Sequence, residues 1–160
     1  MTRSRTLFTL CLTLVAASSL SAQEATPSQR EVILATVDSF FAAMTRHDTV
    51  ASRAVLFPGA MFYRLVPGRQ VGAISDTAYY RSIASQRLGL QERIWNPTIW
   101  VHGPMAQVWT RYDFHVDGKF SHCGVDSFSL LQSGTSWKIV SITYTIEPTG
   151  CPESPLGPLP

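Results

Sequence analysis

Between Arg93 and Glu147, β-branched and aromatic residues alternate with polar ones for over fifty residues, interrupted only at turn signals. A run of that length cannot be helical, because its apolar period is two, and its breaks are too short for the crossover that parallel neighbours need. It must fold as an antiparallel meander. The segments are RIWNPTIWVH, MAQVWTRYDFHV, KFSHCGVDSFSLL and WKIVSITYTIE, separated by Gly103-Pro104, Asp117-Gly118 and SGTS. Asn96-Pro97 interrupts the first of them. Proline donates nothing to a ladder, so that strand lies at an edge or carries a bulge.

The residues before the meander have a helical texture. Ser28 and Glu31 have the S-x-x-E spacing of a capping box, and Ile33, Val37, Phe40, Phe41 and Met44 follow at helical intervals, which predicts a helix over 28–46. Asp48 caps a short second helix through Ala54, and Phe57-Pro58-Gly59 ends it. MFYRLV is a first strand, closed by Pro67-Gly68. Asp76 caps a third helix through about Leu88, with Gly89 as its stop. Three helices followed by an antiparallel sheet give an α+β fold with the helices on one face.

The first twenty-two residues have Arg3 and Arg5 in front, an apolar run from Leu7 to Ala17 and small residues ending at Ala22. This is the pattern of a secretory signal peptide, too short to span a bilayer. The expected mature chain, from Gln23, is secreted or periplasmic and free of the membrane. The whole chain has 13 basic and 11 acidic residues, and the signal would take two arginines and no acid with it. A neutral remainder without basic runs argues against nucleic acid as a partner. Cys123 and Cys151 then remain in an oxidising compartment, where a disulfide tying down the Pro-rich tail, 148–160, is the natural reading and a pair of free thiols the competing one.

The order of elements, with VDSFFAAMTRHD in the first helix and its Asp-led turn and GTSWKIVSITY at the close, resembles the nuclear transport factor 2-like superfamily in its SnoaL-like, lumazine-binding branch. The resemblance spans residues 28–147 and implies one domain over 23–147. It also implies a cone-shaped, cystatin-like curved sheet over the helices, with an internal pocket at the open end. Family members include ketosteroid isomerases, dehydratases and polyketide cyclases.

The chemistry concentrates in YDFHVDGKFSHCGVD, residues 112–126. Asp117-Gly118 is a two-residue hairpin turn, so the register should set His115 against Phe120, Asp113 against His122, Arg111 against Gly124 and Trp109 against Asp126, all on one face. Asp113 could then orient the His122 imidazole as a general base needs, with Arg111 or Tyr63 steadying negative charge. Phe41, Tyr63, Trp109, Arg111, His115 and Asp126 are the ligand-lining candidates. The same stripe suits a solvated outer face or a homodimer contact through the sheet. His102, His115 and His122 lack close metal-ligand spacing, and no cofactor motif occurs. Three readings stay open: a binding or accessory domain for a small, partly apolar molecule, a cofactor-free isomerase, dehydratase or cyclase, and a structural module.

Overall fold

The structure, a computed structural model, describes residues 21–159. The expected signal peptide lies outside them except for Ser21 and Ala22, which lead directly into β1 (Gln23–Glu24). Helix α1 (Pro27–Thr45) follows, then α2 (Thr49–Val55), β2 (Leu56–Leu65), β3 (Gly72–Ser75) and α3 (Asp76–Ser85). The meander is β4 (Leu90–His102), β5 (Met105–Val116), β6 (Lys119–Ser133) and β7 (Ser136–Thr145).

Local chemistry sets these boundaries. The capping box at α1 uses Thr26 and Gln29 rather than Ser28 and Glu31, because Pro27 takes the first helical position, where its missing N–H costs nothing. Asp48 caps α2 by accepting from Val50 and Ala51 at 3.0 and 2.9 Å. Ser75, not Asp76, caps α3, which stops three residues short of Leu88. Asp76 instead accepts from the Gly59 backbone at 2.9 Å, pinning α3 to an irregularity in β2. Phe57-Pro58-Gly59 therefore lies inside that strand as a distortion and does not stop the chain.

One curved, unclosed sheet contains all seven strands in the order β1-β4-β5-β6-β7-β2-β3, antiparallel except where β2 runs parallel to β7. β1 and β3 were not legible as strands, being two and four residues long. The bulge expected at Asn96-Pro97 is present, with Asn96 in the left-handed region and the β4–β5 register shifting between Trp95 and Thr98. The helices cover the concave face at one end of the long strands. There Ile33 and Val37 of α1 pack with Ile99, Val108, Phe128, Leu130 and Ile139, all without solvent exposure. Burial of each such side chain contributes about 1.5–3 kcal/mol. Farther along the same face the C-terminal half of α1 and the α3 helix meet the sheet around the site.

Candidate functional site

The β5–β6 hairpin starts as its turn chemistry requires. Asp117 and Gly118 both adopt positive φ, and Val116 pairs with Lys119 and His115 with Phe120. A bulge then places Ser121 as an unpaired residue, and the register shifts by one. Phe114 faces His122, Asp113 faces Cys123, Tyr112 faces Gly124, Arg111 faces Val125 and Thr110 faces Asp126. Because side chains alternate, a single extra residue moves every later β6 side chain to the other face. The expected stripe is thus divided. His122 and Asp126 point into the concave side, while Trp109, Arg111, Asp113 and His115 point outward, so Asp113 and His122 do not form the anticipated pair.

The concave side holds a cavity of about 290 Å³. Phe40, Phe41 and Met44 from α1, Phe62 from β2 and Tyr79 and Ile83 from α3 form its apolar wall. The sheet supplies the polar floor, with Glu92, Tyr112, His122, Asp126 and Tyr144, while Arg64 stands exposed at the rim. Phe62 and Tyr79 stack with ring centroids 4.7 Å apart, and Phe40 stacks on Tyr79 at 5.5 Å, so the wall is a continuous aromatic surface. Tyr112 lies flat across β6 because residue 124 is glycine; a Cβ there would come within 2.7 Å of its ring. Its hydroxyl donates to the Thr145 carbonyl at 2.6 Å, which fixes the ring in the floor.

Glu92 and Asp126 are the chemical centre of this floor. Burial pushes the Asp126 carboxyl up to about 7, against a partly opposing hydrogen bond with Glu92. Burial raises Glu92 as well, and the adjacent Asp126 charge reinforces the shift. Two carboxyls this close in an apolar setting hold a proton between them at neutral pH. No basic side chain pairs with either among the described residues, and Asp126 Oδ2 is buried without a hydrogen-bond partner. His122 lies beside them, stacked on Phe114 at 4.9 Å and edge-on to Tyr112 at 5.7 Å, and burial lowers its pKa, favouring neutral imidazole. Its Nδ1 is 3.0 Å from Ser121 Oγ, so the bulge that turns His122 inward also holds it.

The outer face carries the contrasting arrangement. Arg93 donates to both oxygens of Asp113, at 2.9 and 2.7 Å, and His115 Nδ1 is 3.5 Å from the same carboxylate. Burial would raise Asp113, but hydrogen bonds from Arg93 and Ser154 and the positive charge of Arg93 outweigh it and hold the carboxyl below its usual range. Ser154 belongs to the tail, which crosses this face and is joined to β6 through the Cys123–Cys151 disulfide, with Cα atoms 5.8 Å apart. The tail thus covers Asp113 from outside.

Of the residues singled out from sequence, Phe41, His122 and Asp126 meet in the cavity. Asp113 and His115 are buried on the opposite face, and Tyr63, Trp109 and Arg111 are exposed outside it. Tyr63 is turned away because its neighbours Phe62 and Arg64 face inward. Glu92, Tyr112 and Tyr144 were missed. Glu92 had a readable signal, a charge at an inward position in the alternation Leu90-Glu92-Ile94, lost because the strand was expected to begin at Arg93. No group of three metal-ligating side chains occurs among the described residues.

Residues 28–145 match the family model described as "Putative lumazine-binding". No curated protein sequence matches the chain. The solved structures it resembles include a cystatin-like protein of unknown function from Nostoc punctiforme, at TM-score 0.64 and 10% identity, covering 79% of this chain and 97% of that one. An NTF2-like protein of unknown function from Silicibacter pomeroyi matches at TM-score 0.59 and 23% identity, covering 77% and 100%. A Streptomyces avermitilis protein described as a "putative dehydratase from the NTF2-like family" matches at 0.61 and 19%, covering 76% and 98%. At these identities the structures establish the fold, that of NTF2-like proteins with a cystatin-like sheet, and the family match over residues 28–145 establishes kinship: the chain belongs to the family described as "Putative lumazine-binding".

Proposed function

We propose that this chain is an exported small-molecule-binding domain whose cavity takes a partly apolar molecule and holds one polar group of it against Glu92 and Asp126. The observation that carries the reading is the cavity itself: an aromatic wall facing a floor with two adjacent acidic groups, one of which, Asp126, has a buried oxygen without a hydrogen-bond partner. A buried carboxyl without a partner is costly to a fold, and such costs collect where a ligand later supplies the missing contact. Export is supported by the signal-like first twenty-two residues and by a cysteine pair placed to form a disulfide. The decisive experiment is an NMR titration of the mature protein with a library of small aromatic fragments. Saturable shifts at Tyr112, His122 and Phe128 are expected. They should disappear in Ser82→Trp, which blocks the mouth from an exposed position on α3. Binding that persists in that variant places the ligand elsewhere.

A second reading, a cofactor-free isomerase or dehydratase, is favoured by one observation. Asp126 is poised near 7, where a carboxyl can both take and give a proton at neutral pH. In that reading Asp126 and Glu92 replace Asp113 as proton carriers, with His122 beside them. The outer sheet face, which exposes Trp100, Met105, Trp109 and Leu131, we propose as the contact for a second copy.

A further inference from the structure

The chemistry of the floor narrows the ligand class, on the premise that the cavity is a binding site. With one proton between them, Glu92 and Asp126 still carry a negative charge that no basic side chain among the described residues pairs with, and Asp126 Oδ2 is left as an open acceptor. The charged and titratable groups around them can be named element by element. β2 gives Arg64 at the exposed rim, α3 gives Tyr79, β5 gives Tyr112, β6 gives His122 and β7 gives Tyr144. Asp113, whose charge reaches Glu92 through the sheet, is already neutralised by Arg93. α1 contributes only Phe40, Phe41 and Met44 to the lining. The floor therefore carries uncompensated negative charge, and it faces an apolar aromatic wall of Phe40, Phe62 and Tyr79.

We infer that the cavity binds a flat, mainly apolar molecule bearing one organic cation, an amine or amidine, whose N–H groups seat on Glu92 and Asp126 while its body lies against the aromatic wall. The cation replaces the proton the two carboxyls share, so binding releases that proton to solvent and charge within the cavity is conserved. A neutral molecule leaves the shared proton in place and forgoes the charge-assisted bonds. An anion meets the carboxyls directly.

The test is calorimetry of the mature protein with tryptamine, tryptophol and indole-3-acetate, which share one ring system and differ in charge. At neutral pH tryptamine should bind at least about tenfold more tightly than tryptophol, with indole-3-acetate weakest. Heats measured in buffers of different ionisation enthalpy should show release of close to one proton for tryptamine and none for tryptophol. Asp126→Asn should bring tryptamine and tryptophol to similar affinity; if that variant does not fold, Glu92→Gln supplies the same reading. Equal affinities in the wild-type protein, or a tryptamine preference that survives both substitutions, overturns the cationic class and leaves the binding cavity standing. No binding of any indole, with the NMR resonances of the floor unmoved by every fragment, overturns both.

Discussion

Asp113 and Asp126 lie on neighbouring strands of one hairpin, each only 3% exposed, and they have opposite fates. Asp113 faces outward, where Arg93 grips both of its oxygens and the tail closes over it. Asp126 faces inward, where the group hydrogen-bonded to it is another acid and one of its oxygens has no partner. A fold selected for stability alone would treat the two alike. The difference teaches that the chain neutralises the outer aspartate with its own residues and leaves the inner one without a counter-charge among the described residues, the asymmetry on which the proposed binding site rests.

The comparison is sharpest in pH dependence, and there the largest effect is expected. Asp126 stands near 7 in the folded chain against 3.8 as its ordinary value. Across that interval the folded chain keeps a proton that the unfolded chain has lost, so stability falls as pH rises from about 4 to about 7, by as much as a few kcal/mol. Asp113 works the other way. Its lowered pKa adds stability above its ordinary value, which is lost as pH falls through the folded one. Urea midpoints of the wild-type protein measured over pH 4 to about 8 should therefore decline, and Asp126→Asn should reduce the decline, the part that remains belonging to Glu92, which burial also raises. A wild-type profile flat over that range contradicts the account of the inner aspartate.

Next in size is the outer pair. Asp113→Ala strands a partly buried guanidinium, and Arg93→Ala strands a buried carboxylate; each should cost about 2–3 kcal/mol, somewhat under the figure for fully enclosed pairs because Arg93 keeps contact with water. The double variant should cost much less than the sum, since removing both partners leaves no charge unpaired. Full additivity in the denaturation midpoints means that the two side chains do not act as a pair.

How much of this was readable in advance depended on the length scale of each signal. The meander, the helices and the Asp117-Gly118 turn are written in runs and dipeptides, and they stand where the sequence puts them. The Asp113–His122 pair was inferred by counting back from the turn, and one unpaired residue, Ser121, defeated the count. Nothing in KFSHCG announces a bulge, because its cause is tertiary: Tyr112 must cross Gly124 to reach Thr145, and Cys123 must face the tail to meet Cys151. Those contacts tie β6 to its register from both sides, and no local propensity reports them. Glu92 escaped notice for a simpler reason: the strand begins at Leu90, three residues before the Arg93 start expected from the sequence.

The smallest expected effect concerns the rest of the outer face. Trp109 is 55% exposed, lying between Thr98 and Ser127, and it makes none of the contacts that hold Asp113. If the outer face is complete within one chain around Asp113 but unfinished around Trp109, then Trp109→Ser should change the stability of dilute protein by less than about 0.5 kcal/mol. The same substitution should weaken self-association, seen as a sedimentation coefficient that no longer rises with protein concentration, because the tryptophan is then the anchor a second copy buries. A concentration dependence unaltered by Trp109→Ser takes this face out of any interface, and the inner floor around Asp126 becomes the one surface of the sheet left for a partner to complete.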